Sequence, residues 1–313
     1  LLKGRDLEFA KRSFTVAVGF GLASVLSVIV LGDESGYELG DVQKSKLAAI
    51  EGEWETHEPP AGFNLIGFPD QEAQQTHGAI KVPWALGLIA TRSVDEEVIG
   101  LKDIMHDNEA RIRSGMRAYN YLQRLRNGDT SEANIALFEE YKADLGYGLL
   151  LKAFTPNVVD ATDEQIKEAV KMSIPSVAPL FWTFRIMVAI GFTLLFIIAA
   201  GFYYNARREI EQKRWLLRLT LWSIPLPWIA VETGWFVAEF GRQPWAIGEV
   251  LPTFLATSTL TVNDLIFSMV GFIGFYTFLL VIEMWLMFRF ARLGPSSLHT
   301  GRYHFESGVN VTQ

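Results

Sequence analysis

The stretch Gly234-Trp235-Phe236-Val237-Ala238-Glu239-Phe240-Gly241-Arg242-Gln243-Pro244-Trp245 decides how the rest of the chain is read. It is the end of an apolar segment that carries a carboxylate and closes in a Gly-Arg-Gln-Pro-Trp turn. On a helix, Glu232, Trp235 and Glu239 stand at i, i+3 and i+7 and share one face. Hydrocarbon penalises such a charge unless it looks into a bundle or cavity, so this face is expected to hold something. The segment is therefore read as a membrane helix with a functional end.

Working outward, Ser13 to Leu31 is 19 residues without a charge, close to the ~20 that cross a ~30 Å hydrocarbon layer. Val177 to Tyr203, Trp215 to about Glu239, and Leu265 to Phe288 are the other apolar spans. Lys3, Arg5, Lys11 and Arg12 precede the first span, and Arg207, Arg208, Lys213 and Arg214 follow the second. Arg289, Arg292 and Arg302 follow the fourth. Basic short loops stay in the cytoplasm, which puts both chain ends inside and residues 33–176 outside. The expected fold is an all-α integral membrane protein. Its four transmembrane helices are separated, between the first and second, by a long and mostly helical extracytoplasmic loop. Four regions follow: 1–32 as cytoplasmic end plus helix, 33–176 as the loop, 177–292 as three membrane helices, and 293–313 as a cytoplasmic tail.

Charge divides the same way. Residues 33–176 hold 14 Lys+Arg against 25 Asp+Glu, whereas the whole chain has a net charge of −7. The loop is thus an acidic region set among weakly basic apolar ones. It is too long for an ordinary connection and is expected to be functional. Val98, Leu101, Met105, Ile112, Met116, Tyr119 and Leu122 recur at helical spacing, and Thr162-x-x-Gln165 forms a capping-box pattern. Pro59-Pro60, Gly67-Phe68-Pro69-Asp70 and Gly128-Asp129 are expected as turns. The chain has no cysteine, which excludes disulfides, thiolate metal sites and covalently attached c-type haem. It opens at Leu1 without a methionine or a signal-peptide pattern and reads as a piece of something longer.

Several residues could carry chemistry. Arg185 lies about 10 Å inside the outer end of the second span, and the sequence leaves open a functional cation or one that snorkels to the surface. Met187 is either packing or a thioether ligand, which suits haem iron. None of the five histidines (His57, His77, His106, His299, His304) falls in a spanning segment, so a haem held by Met187 needs a histidine from elsewhere. Glu239 and Arg242 read either as a helix-end ion pair or as an iron ligand with a propionate-binding arginine, with Trp235 walling the same cavity. Glu283 is a candidate proton-path residue or a carboxylate facing headgroup water. Lys46 and Glu51 stand at i, i+5 and need not face each other. A lysine and carboxylate can nevertheless serve the hydroxyl protons and ring oxygens of a quinol.

The run from Gly234 through Pro252 resembles the signature of subunit I of the cytochrome bd-type ubiquinol oxidases. The resemblance extends to Gly32-Asp-Glu-Ser-Gly-Tyr, Lys46-Leu-Ala-Ala-Ile-Glu51, Gly146-Tyr-Gly-Leu-Leu-Leu-Lys, Phe184-Arg-Ile-Met187 and Ala291-Arg-Leu-Gly-Pro-Ser-Ser. By that resemblance 33–176 is the quinol-binding loop, with Lys46 and Glu51 as its quinol-site pair. Met187 matches the ligand of the low-spin haem b and Arg185 the arginine supporting it. Glu239 matches the ligand of the high-spin haem b, with Trp235 and Arg242 beside it. A haem d site is implied as well. The family's histidine ligands precede the region matched here, so the chain resembles the C-terminal half or so of the subunit.

The implied activity is quinol:oxygen oxidoreduction in a bacterial cytoplasmic (inner) membrane. Ubiquinol or menaquinol is oxidised outside, oxygen is reduced to water, and a proton gradient forms without pumping. The implied partners are the N-terminal half of subunit I, oxidase subunit II, small accessory subunits and the lipid bilayer; no nucleic acid is expected. Two other classes fit the bare residues. One is a transporter or receptor with a ligand-binding outer loop, in which Arg185, Glu232 and Glu239 line a substrate path; the other is a scaffold without a chromophore.

Overall fold

The computed structural model describes residues 1–2, 7–93 and 95–293. The tail after Leu293, with His299, Arg302 and His304, lies outside the described residues, as do Lys3 and Arg5. The chain divides into two compact units, the larger containing Lys11–Thr257 and the smaller the segment from Ser258.

In chain order, helix α1 (Leu7–Val42) is followed by α2 (Lys44–Glu51) and a hairpin of β1 (Phe63–Asp70) and β2 (Gln75–Val82). Then come α3 (Ala85–Ala90), α4 (Leu101–Arg126), α5 (Glu132–Tyr141), α6 (Leu145–Leu149) and α7 (Asp163–Met172). The membrane-type helix α8 (Val177–Ala206) precedes α9 (Arg214–Trp222) and α10 (Leu226–Phe240). A short pair β3 (Trp245–Ile247) and β4 (Leu251–Pro252) leads to α11 (Val262–Leu293). Three helical stretches, Leu7–Gly40, Asp163–Ala206 and Val262–Arg292, are long and apolar enough to cross a membrane.

Three expectations need correction. The molecule is mostly helical rather than all-α, because Phe63–Asp70 and Gln75–Val82 pair antiparallel, and Gly67-Phe68-Pro69-Asp70 is strand rather than turn. The first helix does not stop at Leu31 but continues through Asp33 and Glu34 to Val42. The expected third span is broken into α9 and α10 by a turn over Ser223, Ile224 and Pro225. Proline has no N–H to donate and its ring collides with the preceding turn, so Pro225 and Pro227 are accommodated only where a helix begins.

The loop has a core of its own, centred on α4. Leu101, Met105, Ile112 and Tyr119 recur along one face of α4 as their spacing predicts, and pack with Leu150, Leu151, Ile166 and Val170. The capping box forms, with Gln165 N donating to Thr162 Oγ1 (3.3 Å) and Thr162 N to Gln165 Oε1 (3.0 Å). This core continues into the start of α8 through Val177 and Leu180. Beside it Phe181 is fully buried, which for a side chain of that size contributes about 1.5–3 kcal/mol. At the other end of α8, Asn205 Nδ2 donates to Thr15 Oγ1 on α1 (3.0 Å) and Lys11 pairs with Glu211. Every described side chain of α11 from Val262 to Arg292 is exposed. A helix apolar on all sides requires lipid or another protein surface around it.

Candidate functional site

Helix α2 presents its two candidate residues to different partners. At its C-terminal end Gly52 adopts φ +64°, and the carbonyl groups of Ala48 and Ala49 are capped by the backbone there. A Cβ on Gly52 would lie 3.0 Å from the Phe181 ring, so both the left-handed turn and the close packing require glycine. This turn brings Glu51 against α8, where Arg185 Nη2 donates to Glu51 Oε2 at 3.1 Å. The two side chains are 3% and 9% exposed. Arg185 also donates to Ile50 O (2.7 Å), to Phe181 O (3.1 Å) and, through Nε, to Asn64 O (3.0 Å). One guanidinium therefore ties α2, β1 and α8 together, and Arg185 is a buried cation rather than one reaching for the surface. Burial pushes the Glu51 carboxyl up to about 7, against the opposing pull of Arg185.

Lys46, one and a half turns earlier, points the other way. Its Nζ donates to Ala238 O at 3.2 Å, near the end of α10. A Cβ on Gly241 would lie 2.9 Å from the Lys46 side chain, so the glycine of the Gly-Arg-Gln-Pro-Trp turn leaves room for the lysine. Glu239 and Arg242 form an ion pair in the same place. Burial, and then the neighbouring positive charge of Arg242, lower the Lys46 pKa, with Glu239 opposing. The structure thus joins Lys46 with Glu239 and Arg242, joins Glu51 with Arg185, and does not bring Lys46 and Glu51 together.

Met187 lies two residues beyond Arg185 on α8, half-buried, and faces α10. A Cβ on Gly234 would meet its Sδ at 3.0 Å. On the adjacent turn of α10, Glu232 and Trp235 are exposed, Trp235 by 64%. The face expected to look into a cavity is open in this chain by itself. The donor set is one thioether on α8 and one carboxylate at the end of α10, each with an arginine close in sequence. This chemistry suits haem iron and propionates but is incomplete, because no histidine lies in a described membrane helix. Among the described residues no group of three or more His, Asp or Glu side chains is disposed to hold a metal ion.

Two clusters are absent from the sequence reading. The first surrounds a cavity of about 330 Å³ lined by Gln43, Lys46, Asn108, Arg111, Tyr147, Arg242 and Glu249. There Arg111 pairs with Asp144 and Glu249 (2.9 Å each), and Tyr147 Oη donates to Glu249 Oε1 (3.1 Å). Burial pushes the Tyr147 hydroxyl up. The second is the buried Glu53 carboxylate with Asn64, His57 and Lys81 around it. Neither has a signature along the chain, since each depends on residues from separate elements meeting.

These positions can be set beside known proteins. Residues 1–295 match the family described as cytochrome bd terminal oxidase subunit I. The chain belongs to that family. It is 43% identical over 300 residues to the cytochrome bd-II ubiquinol oxidase subunit 1 of Escherichia coli, covering 96% of this chain and 58% of that protein. It is 27% identical over 295 residues to the cytochrome bd ubiquinol oxidase subunit 1 of Bacillus subtilis, covering 94% and 51%. A putative cytochrome bd menaquinol oxidase subunit I from the same organism is 24% identical over 310 residues, with 97% and 50% covered. The chain spans about half the length of these curated relatives. The family it belongs to is that of a haem-binding terminal oxidase subunit.

Proposed function

We propose that the chain is part of a bd-type terminal oxidase, works only within the complete complex, and oxidises quinol at the outer face of a bacterial cytoplasmic membrane. In this reading α1, α8, the broken pair α9–α10 and α11 are four spans. Residues 33–176 lie outside, and the chain end after α11 lies in the cytoplasm. The observation that carries the reading is the buried Arg185–Glu51 pair, in which the arginine two residues before Met187 on α8 holds a carboxyl raised by burial to about 7. A carboxylate with a pKa near the working pH is an effective proton acceptor, and Glu51 takes the hydroxyl protons of the quinol. Lys46 donates toward the quinol oxygens from the opposite side, which requires its side chain to leave Ala238 O.

Met187 and Arg185 would hold the low-spin haem b, and Glu239, Trp235 and Arg242 the high-spin haem b, with haem d in the same complex. These groups, when bound, accept the quinol electrons and deliver them to oxygen. The histidines come from another segment or polypeptide, because none lies in the apolar spans of this chain. Oxidase subunit II and small accessory subunits cover the exposed faces of α8, α10 and α11, with lipid on the remainder. Quinol protons leave outside and the protons for water enter from the cytoplasm, so charge separates without pumping.

A reduced-minus-oxidised visible spectrum of the purified complex, taken with and without Met187→Ala, tests this. The expected result is loss of one low-spin b-type band. A complex without haem bands overturns the oxidase reading in favour of a transporter or scaffold; bands unchanged by the substitution remove the Met187 assignment alone.

A further inference from the structure

The Glu53 carboxylate is almost as deeply buried as Glu51, at 3% exposure, and has no part in the site described above. Gly52, by turning left-handed between them, lets both side chains point inward although they are only two residues apart. Asn64, also buried, donates through the same Nδ2 to Glu53 Oε1 (2.8 Å) and to the carbonyl oxygen of Glu51 (3.0 Å). Arg185 donates to Asn64 O and to the Glu51 carboxylate. A hydrogen-bonded set therefore joins the two carboxylate residues through the interior.

Toward the surface, Glu53 Oε2 lies 2.6 Å from His57 Nε2, and Lys81 Nζ lies 3.4 Å from Glu53 Oε2 and 2.9 Å from His57 Nε2. His57 is one-third exposed, and its backbone is held by a bridge to Val98. A single ring nitrogen offers either one N–H or one lone pair. As an N–H, Nε2 donates to the Glu53 carboxylate while Lys81 donates to Glu53 as well; as a lone pair, Nε2 accepts from either Glu53 or Lys81 but not from both. Glu53 and Nε2 thus share one proton position at their 2.6 Å contact. Glu51 and Arg185 are the other charged groups that act on Glu53 from α2 and α8.

We propose that Glu53 and His57, with Lys81 beside them, are the exit route by which the proton taken up at Glu51 reaches the outer surface. This rests on the quinol reading of Glu51. One O–H bond of the quinol breaks as Glu51 gains the proton; Glu53 then receives it, His57 Nε2 takes it from Glu53, and the far side of the ring releases it to water. The electrons leave separately, toward the haems.

The test is steady-state quinol oxidation by the complete complex carrying Glu53→Gln, His57→Gln or Glu51→Gln, with haem spectra confirming assembly. Glu53→Gln is expected to lower kcat roughly tenfold or more with little change in KM. His57→Gln is expected to lower kcat several-fold and flatten its rise with pH, with added imidazole restoring part of the rate. If Glu51→Gln is slow while Glu53→Gln and His57→Gln keep the parent rate and pH profile, the relay is overturned and the quinol reading stands. If all three keep the parent rate, the quinol reading of Glu51 falls and the relay with it. A pH-independent loss in Glu53→Gln alone also overturns the relay, leaving Glu53 a packing role. If Glu53→Gln does not assemble, His57→Gln decides, since its side chain is at the surface.

Discussion

The region between α1 and α8 and the long apolar helices solve opposite problems. Around α4 the loop buries its own apolar residues, and its interior charges, Glu51 and Glu53, are met by Arg185, Asn64, His57 and Lys81. The helices leave large apolar residues such as Trp235 and Phe275 exposed. A water-facing region must satisfy its polar groups internally before it can bury them, whereas a membrane helix already has its backbone bonds satisfied and leaves its surface to lipid or neighbours. The region around α4 thus has its buried charges met within this chain, Arg185 of α8 among the partners, whereas faces of α10 and α11 stay exposed.

Arg185 is where the two regions meet, and its removal is the strongest way to break the contrast. Arg185→Ala leaves the Glu51 carboxylate and the carbonyls of Ile50 and Asn64 without their donor, and is expected to cost roughly 3–5 kcal/mol. Protease sensitivity of the loop in the intact complex measures it; unchanged protection would show that the loop is held by its apolar core alone. On the helix side, Phe275→Asp at the middle of α11 should oppose insertion by roughly 2.5–3.5 kcal/mol in a translocation assay. Full insertion would mean that α11 does not face hydrocarbon at that point.

A sharper test concerns Glu51 itself. Its carboxyl, raised to about 7, is neutral and unable to accept a proton below that pH and charged above it, so quinol oxidation should rise as pH passes through 7. Glu51→Gln should abolish that rise and lower the rate about a hundredfold. The raised value also fixes the sign for stability. The neutral form fits the buried site, so this contribution is fully present below the ordinary value of 4.5 and is lost as pH climbs through about 7. Unfolding midpoints of the Glu51→Gln complex should therefore vary less over that window than those of the parent.

Gly52→Ala is expected to cost about 1–3 kcal/mol, because alanine resists the left-handed turn and its methyl meets Phe181. Thermal inactivation reports this, and an unchanged rate would mean that Phe181 yields to the added methyl. The smallest effect is expected at Arg113, which is half-exposed and pairs with Glu109 and Asp163 across the loop surface (2.9 and 3.0 Å). Arg113→Ala should change stability by less than about 1 kcal/mol. A large loss there would make surface pairs, rather than buried ones, the source of loop stability.

The sequence by itself determined that the chain holds long apolar helices around an acidic, mostly helical region, because hydropathy and helical spacing act over a few neighbouring residues. It also picked out Arg185 and Glu239 as charges in an apolar setting, with Arg242 as the partner of Glu239, and left Met187 as either packing or a ligand. Only the tertiary structure decided that Arg185 seizes Glu51 and that Lys46 turns instead to Ala238. It alone revealed the β-hairpin whose Asn64 and Lys81 surround Glu53. Those outcomes depend on which distant segments meet and on how much water is excluded when they do. A pattern of residues along the chain carries neither.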